Sequence, residues 1–364
     1  MGERPSKKAK SGEEQPFSRR DSVCERTKRE QKPLKTILIT GVGGGVGQSI
    51  IKALQYSDYR IIGADSDPTA AGLHAGIQAG YVVPEAREES YIDRLLGICD
   101  KENVNLIFPG HDIELAPLAK AVPLFEALGR HVIVSSQDVI FTCEDKLDTA
   151  RFLEGIGLPY PETHPLGSIT AWRKPVVLKP QTGGARSKGV FVCRDPQSFS
   201  RAVKLSDPDN TVVQELIEGP EYTCGTVHLD GETFGPIIMR RILRDGDTHK
   251  AFVEDRPDIA DIVKKAVDAL SPYGACNVQL RVRDGIPYIF EINARCSGTT
   301  ACRAMAGFNE PLMIADWAIY GKSPVYKIDH GLNFLRYWNE VAVSSQRLDS
   351  TRDQWCIGTG VNTL

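Results

Sequence analysis

The residues best suited to chemistry lie in the stretch ACNVQLRVRDGIPYIFEINARCSGTT, where two apolar runs flank the turn sequence RDGIP. Side chains two residues apart on a strand share a face, so Glu291, Asn293 and Arg295 point the same way. Asn277 and Gln279 do the same on the preceding run, which the turn places alongside. Such oxygen donors suit Mg²⁺ held between a protein and a polyphosphate, and the arginine suits a phosphoryl oxygen. The alternative is a polar patch whose groups satisfy only one another.

A lysine inside an apolar strand is the second feature. In PVVLKPQTGGARSKGVFV, the charge of Lys179 is costly unless the lysine has an anionic partner. A glycine-rich segment follows, and backbone N–H groups in such a segment can surround phosphate oxygens. This segment contains Gly183, Gly184, Arg186, Ser187, Lys188 and Gly189. We expect Lys179 to reach an α-phosphate, although a hairpin with a flexible tip has a similar sequence.

The stretch VVQELIEGPEYTCG offers groups for a nucleoside. An apolar strand ends at Glu215, Leu216 and Ile217, where a backbone carbonyl and an N–H at a pocket edge could contact adenine. Glu221 follows the Gly-Pro turn, and its carboxylate could bind the ribose hydroxyls.

The N-terminal turn TGVGGGVG suggests a different nucleotide. It fits the glycine turn of short-chain dehydrogenases, and Asp65 lies where a ribose-binding carboxylate is expected. A nicotinamide-dependent oxidoreductase is therefore an alternative function. However, Val46 and Gln48 stand where a G-x-G-x-x-G motif needs glycine, and no tyrosine has a lysine four residues later. We favour a structural interpretation, in which the glycines let a buried strand turn tightly into a helix.

Two kinds of strand pattern must position these groups. From Thr36, the short apolar runs TILIT, RIIGAD, NLIFPG and HVIVSS alternate with helical patterns, which predicts a parallel sheet covered by helices. After about residue 142, runs such as TVVQELI, EYTCGTVHLDG and IPYIFEIN follow with few helices between them, which predicts antiparallel sheets. The expected fold class is α/β followed by α+β, with a polar tail from about Ser344.

The composition and charge of the chain argue against a nucleic-acid-binding, membrane-spanning or secreted protein. The chain has 364 residues and a formal net charge of −3, which gives no argument for nucleic-acid binding. No apolar run reaches the length of a membrane span, and the N-terminus lacks the apolar core of a signal peptide. Nine cysteines without a C-x-x-C pair indicate reduced thiols. We expect a cytoplasmic protein that binds neither nucleic acid nor membranes.

Taken in this order, the motifs resemble those of the ATP-grasp superfamily over roughly residues 36–342. CNVQ and FEINAR look like the metal-binding strands of its carbamoyl-phosphate-synthetase-like branch, and EDKLDTARFLEGIGLPYPET looks like the start of its nucleotide fold. The single module is similar to amino-acid ligases such as the pyrrolysine-pathway and D-alanine–D-alanine ligases. The resemblance implies a disordered tail over 1–34, a Rossmann-like pre-ATP-grasp domain over 35–142, an ATP-grasp domain over 143–343 with subdomains 143–213 and 214–343, and a C-terminal tail over 344–364.

The resemblance also implies roles for individual residues. Gln279, Glu291 and Asn293 would bind two Mg²⁺ or Mn²⁺ ions, with Glu291 bridging them. Arg295 would stabilise the transferred phosphoryl group. The implied ATP contacts are Lys146, Lys179, Gly183, Gly184, Ser187, Glu215, Leu216, Ile217 and Glu221.

The implied activity is ATP-dependent carboxylate–amine ligation through an acyl-phosphate, with release of ADP and phosphate. The substrates would be a small-molecule carboxylate and amine, such as amino acids, and the segment 182–189 would close over the intermediate. Candidate substrate contacts are Asp112, Glu114, Arg241 and Arg303, the first two because they follow a strand at its ligand-facing end. A catalytically silent ATP-binding regulator is the third hypothesis, and the assembly could be a homodimer.

Overall fold

The computed structural model of the protein describes residues 1–2, 34–169, 171–184, 188–354 and 356–357. Strands and helices first alternate along the chain: β1 (Thr36–Ile39), α1 (Gly45–Leu54), β2 (Arg60–Asp65), β3 (Ala79–Val82), α2 (Ser90–Glu102), β4 (Val104–Phe108), α3 (Leu115–Glu126), β5 (His131–Val132) and α4 (Gln137–Glu144). The strands β3-β2-β1-β4-β5 form a parallel sheet. Every side chain of β1 is buried, because Ile37 and Ile39 join one hydrophobic cluster while Leu38 joins another.

This sheet differs from the predicted one at its edges. The sequence AGYV of β3 was missed because it contains a single β-branched residue, yet it pairs with β2 from Ala79 to Val82. Conversely, the predicted strand HVIVSS pairs only over His131–Val132, although Ile133 and Val134 remain buried.

The glycine turn between β1 and α1 packs backbone against backbone. A Cβ atom at Gly47 would lie 2.4 Å from the Gly41 carbonyl oxygen, and Gly41 has a φ of +58°. The carboxylate of Asp65 accepts hydrogen bonds from the backbone N–H groups of Gly43, at 2.6 Å, and Asp67, at 3.0 Å. Asp65 therefore holds the turn in place, which favours the structural interpretation over a ribose-binding role.

The middle of the chain forms a four-stranded antiparallel sheet in the order β6-β9-β7-β8. Two helices accompany it, and Lys179 lies in β7 with its side chain buried. The elements are α5 (Lys146–Gly155), β6 (Thr163–Pro165), β7 (Val176–Pro180), β8 (Phe191–Cys193), α6 (Pro196–Leu205) and β9 (Thr211–Glu215).

A six-stranded antiparallel sheet in the order β14-β13-β10-β11-β12-β15 follows. Its elements are β10 (Glu221–Leu229), β11 (Glu232–Arg244), β12 (Asp247–Val253), α7 (Pro257–Leu270), β13 (Gly274–Arg283), β14 (Ile286–Asn293), α8 (Thr300–Met305), α9 (Glu310–Tyr320) and β15 (Asn333–Leu335). Alternate residues such as Cys224, Val278 and Ile292 pack with the apolar side of α7, which leaves the other face for polar groups. The parallel sheet followed by antiparallel sheets confirms the expected fold class.

The C-terminal region departs from the predicted tail. After Ser344 the chain forms α10 (Ser345–Gln354) and β16 (Cys356–Ile357), and β16 pairs antiparallel with β3 at the edge of the first sheet. Before this segment, β15 pairs antiparallel with β12 over Asn333–Leu335. Within the described ranges, no helix combines the length and apolar character needed to cross a bilayer.

Candidate active site

The predicted hairpin is present, and it aligns the candidate metal ligands. In the register of β13 and β14, Gln279 pairs with Glu291 and Asn277 pairs with Asn293. The side-chain amides of Gln279 and Asn293 both donate to Glu291 Oε1, at 3.3 Å and 3.1 Å. One carboxylate and two amides therefore meet on one sheet face, as the alternation of the sequence predicts.

Further polar groups extend this arrangement in both directions. Arg295 Nη2 donates to Asn293 Oδ1 at 3.1 Å, and Arg241 Nη2 donates to Gln279 Oε1 at 2.6 Å. The result is a continuous chain of hydrogen bonds and ion pairs, which we call the polar row. It comprises Glu221, Arg241, Gln279, Glu291, Asn293, Arg295 and Asp112.

The centre of the polar row fits a divalent cation that is shared with a polyphosphate. Gln279, Glu291 and Asn293 carry oxygen atoms, the donor type that Mg²⁺ and Mn²⁺ prefer, and the two amide oxygens accept hydrogen bonds from Arg241 and Arg295. Glu291 is the carboxylate of this trio, and the described residues contain no group of three or more His, Cys, Asp or Glu side chains able to hold a metal ion. The protein alone therefore supplies few charges, and phosphate oxygens would complete the coordination.

Lys179 lies beside this trio as a buried cation. Its side chain is 6% exposed, and within the described part of the chain no carboxylate lies within ion-pair distance of it. Nζ contacts the Phe290 carbonyl oxygen at 3.4 Å and lies 5.4 Å from the centre of the Phe290 ring. Burial lowers the pKa of Lys179 to about 8, with Lys146 lowering it further and Glu291 opposing the shift. A buried ammonium in this state favours an anionic ligand.

The glycine-rich segment begins next to a second lysine. Lys146 Nζ contacts the Gln181 carbonyl oxygen at 3.4 Å, and a Cβ atom at Gly184 would lie 3.8 Å from that Nζ. Gly183 has a φ of +72°, which glycine adopts without strain. The structure thus brings Lys146, Gly183 and Gly184 together, whereas Ser187 lies outside the described residues.

The backbone at Glu215–Ile217 is only partly available to adenine. The N–H groups of Glu215 and Leu216 donate to the carbonyls of Glu162 and Pro175, at 2.8 Å and 3.1 Å. Within the described residues, the N–H of Ile217 has no protein acceptor. Among these three residues, the N–H of Ile217 is therefore the one that could donate to adenine without losing a protein acceptor.

The proposed ribose carboxylate, Glu221, lies between two arginines. Arg241 Nε donates to Glu221 Oε1 at 2.8 Å, and Arg241 Nη2 lies 2.6 Å from the same oxygen in an ion pair. Arg281 donates through Nε and Nη2 to Oε2 at 3.0 Å and 2.6 Å. A groove of about 330 Å³ opens beside these three side chains. The sequence analysis missed Arg281, although its position two residues after Gln279 on one strand could have revealed it.

At the other end of the polar row, Arg295 contacts the N-terminal part of the chain. Its Nε and Nη2 donate to the two oxygens of Asp112 at 2.5 Å and 2.7 Å, in a bidentate ion pair. Burial raises the pKa of Asp112, but the charge and hydrogen bonds of Arg295 outweigh it and hold that pKa below its usual value. Asp112, a candidate substrate contact, thus lies next to the candidate catalytic arginine.

Two predicted substrate contacts, Glu114 and Arg303, have buried side chains that are paired with other protein groups. Glu114 accepts hydrogen bonds from Thr40 Oγ1 at 2.8 Å and from the Tyr91 hydroxyl at 2.9 Å, and burial raises its pKa to about 7. Arg303 is 0% exposed and forms an ion pair with Glu310 at 2.7 Å. Glu114 therefore connects β1 to the segment after β4, and Arg303 connects α8 to α9.

Asn277 is also turned away from the predicted ligand set. Its side-chain oxygen accepts hydrogen bonds from Thr223 at 2.7 Å and from Arg303, and the residue is buried. It shares the face of Gln279, and its carbonyl oxygen satisfies the buried Arg303.

Two family descriptions match the chain. The ATP-grasp domain family matches residues 143–299, and the family described as PylC-like, N-terminal domain matches residues 37–133. Together they cover the five parallel strands of the first sheet, apart from Thr36, and every residue of the polar row.

Solved structures share the fold. The L-amino acid ligase from Bacillus licheniformis is 19% identical, with a TM-score of 0.64 over 79% of this chain and 75% of that chain. The N5-carboxyaminoimidazole synthetase from Staphylococcus aureus, complexed with ADP, is 16% identical, with a TM-score of 0.64 over 81% of this chain and 80% of that chain. The biotin carboxylase from Campylobacter jejuni is 16% identical, with a TM-score of 0.61 over 81% of this chain and 74% of that chain. The chain therefore contains an ATP-grasp domain over residues 143–299, and a PylC-like N-terminal domain over residues 37–133 precedes it.

Proposed function

We propose that the protein is an ATP-dependent carboxylate–amine ligase that acts on an amino acid or another small metabolite. The observation that carries the proposal is the buried Lys179, whose ammonium group lies beside Glu291 without a carboxylate at ion-pair distance among the described residues. A cation in this position is stabilised by the phosphates of a nucleotide.

The nucleotide would extend along the polar row. Ile217 would contact adenine through its N–H group, and Glu221 would bind the ribose hydroxyls. Lys146, Lys179 and the backbone at Gly183 and Gly184 would surround the phosphates. Gln279, Glu291 and Asn293 would hold two Mg²⁺ or Mn²⁺ ions, which neutralise the charge of the polyphosphate when bound.

The proposed reaction has two steps. A carboxylate oxygen of the substrate attacks the γ-phosphorus of ATP, the bond to the β-phosphate oxygen breaks, and ADP leaves an acyl-phosphate behind. An amine nitrogen then attacks the acyl carbon, phosphate departs, and the nitrogen loses a proton as the amide forms. Arg295 would stabilise the phosphoryl oxygens, and Asp112, with which it forms an ion pair, would bind the amine.

The function is tested by measuring ADP and phosphate release from ATP and Mg²⁺ with amino acids, supplied singly and in pairs. We expect release to require a carboxylate and an amine together. Formation of AMP and pyrophosphate would contradict the acyl-phosphate route and indicate adenylation. A parallel titration with NADH addresses the oxidoreductase alternative, which predicts tight NADH binding and no ATP turnover.

A further inference from the structure

Arg241 contacts both Glu221, the proposed ribose-binding carboxylate, and Gln279, a proposed metal ligand. Its Nε donates to Glu221 Oε1, and its Nη2, which lies within ion-pair distance of that oxygen, donates to Gln279 Oε1 at 2.6 Å. The strand register allows this, because β10 lies between β11 and β13 and pairs Glu221 directly with Arg241. The arginine is largely buried, so both contacts are shielded from water.

The contact fixes which atom of the Gln279 amide faces the metal position. A cation can be bound by the carbonyl oxygen of the amide and not by its NH₂ group. In the structure the carbonyl oxygen faces Arg241, while the NH₂ group donates to Glu291 Oε1 at 3.3 Å. The guanidinium charge also lies 2.6 Å from that oxygen, so it repels a divalent cation placed there.

We propose that Arg241 is a positioning residue that supports Glu221 while it competes with a divalent cation for the carbonyl oxygen of Gln279. The proposal rests on the nucleotide and metal roles proposed above. In the nucleotide-free protein, this competition lowers the affinity of the site for a divalent cation. Cation binding then depends on the phosphate oxygens that arrive with the nucleotide, and Arg241 links the ribose end of the site to its metal end.

Arg281 provides a matched control on the same sheet face. It donates to the other oxygen of Glu221 through the same two nitrogen atoms, at 3.0 Å and 2.6 Å. Its remaining nitrogen, Nη1, contacts the Ile217 carbonyl oxygen at 3.4 Å. No hydrogen bond joins Arg281 to Gln279 within the described residues. Arg281→Met therefore removes an equivalent Glu221 contact without releasing the Gln279 amide.

The experiment measures two affinities. Mn²⁺ binding to the nucleotide-free, full-length protein is followed by water proton relaxation, and ADP binding is measured by calorimetry in EDTA. We expect Arg241→Met to bind Mn²⁺ about threefold to tenfold more tightly than the parent, because a nearby cationic competitor is gone. Arg281→Met should bind Mn²⁺ as the parent does, within about twofold. Both variants should bind ADP about tenfold more weakly, because Glu221 has lost one charged partner.

Several results would separate this inference from the proposed function. If Arg241→Met binds Mn²⁺ as tightly as Arg281→Met, or more weakly, the proposal that Arg241 competes with the cation for Gln279 is contradicted. If Arg241→Met does not fold, Arg241→Lys replaces it, and a lysine that cannot contact both acceptors should again tighten Mn²⁺ binding. Glu291→Gln should abolish specific Mn²⁺ binding, and its failure to do so overturns both the metal site and the inference. A parent protein that binds Mn²⁺ at Glu291 but not ADP contradicts the proposed function while the competition at Gln279 still holds.

Discussion

At the scale of single residues, Lys179 predicts a pH dependence of nucleotide binding. Its pKa of about 8 in the nucleotide-free protein is set by burial, with Lys146 lowering it and Glu291 and Glu221 opposing the shift. An anion binds the protonated form, so the affinity should be level below pH 8 and fall as the pH rises further. Calorimetric titration with ADP in EDTA between pH 6.5 and 9.5 measures the profile.

Substitutions of the two lysines test whether Lys179 is the group that causes the pH dependence of ADP affinity. Lys179→Met should bind ADP about tenfold to a hundredfold more weakly, the range for losing one charge-assisted contact, and its profile should be level. Lys146→Met should lose affinity while keeping the decline above pH 8. A decline that persists in Lys179→Met would show that another group titrates.

Arg295 predicts a defect in turnover rather than in binding. Because it faces the proposed transfer position and pairs with Asp112, Arg295→Ala should lower kcat by roughly 10²–10³, as for loss of one preorganised donor. ADP affinity should stay near that of the parent. Arg295→Lys should rescue little, since an ammonium cannot reproduce a bidentate contact. Steady-state phosphate release checks the prediction, and nearly full activity in Arg295→Ala would contradict the catalytic role.

At the scale of elements, the turn from β1 into α1 should tolerate an added methyl group at one glycine and not at another. A Cβ atom at Gly47 would lie 2.4 Å from the Gly41 carbonyl oxygen, whereas one at Gly45 has no atom within 4 Å. Gly47→Ala should therefore lower the free energy of unfolding by about 1–3 kcal/mol through overpacking.

Gly45→Ala is the matched control, because it lies in the same helix. It should leave stability unchanged or raise it by about 0.5–1 kcal/mol, since alanine restricts the unfolded chain. Urea unfolding measures both variants, and equal destabilisation would mean that the turn responds to any lost glycine.

Strand elements were predictable where the sequence alternates with period two. The hairpin of β13 and β14 follows from this pattern, and so does the shared face of Gln279, Glu291 and Asn293. Long-range partners were not predictable from it. Alternation places Asn277 on the correct face, but it cannot show that Arg303, from a later helix, is buried against it. The burial of Glu114 and Arg303 could not be predicted for this reason, since burial depends on neighbours distant in sequence.

At the scale of the whole molecule, residues 35–364 should unfold in one transition. One hydrophobic cluster contains Ile37 and Phe108 of the first sheet together with Val227, Ala275 and Phe334 of the six-stranded sheet. Because each sheet buries one of its two faces in this shared cluster, loss of one sheet exposes that face of the other. Circular dichroism and tryptophan fluorescence should give coincident unfolding curves in urea, and two separated midpoints would show that the sheets are stable independently.

The polar row also has a consequence for evolution and protein engineering. Each member is hydrogen-bonded to its neighbours. Gln279, for example, accepts a hydrogen bond from Arg241 and donates one to Glu291. A substitution at one position leaves its neighbour with an unmatched charge or amide, and a second substitution can relieve or worsen that mismatch. Mutational effects along the row should therefore be epistatic, with free energies that do not add. New specificities in this site would be reached more readily by paired replacements than by successive single ones.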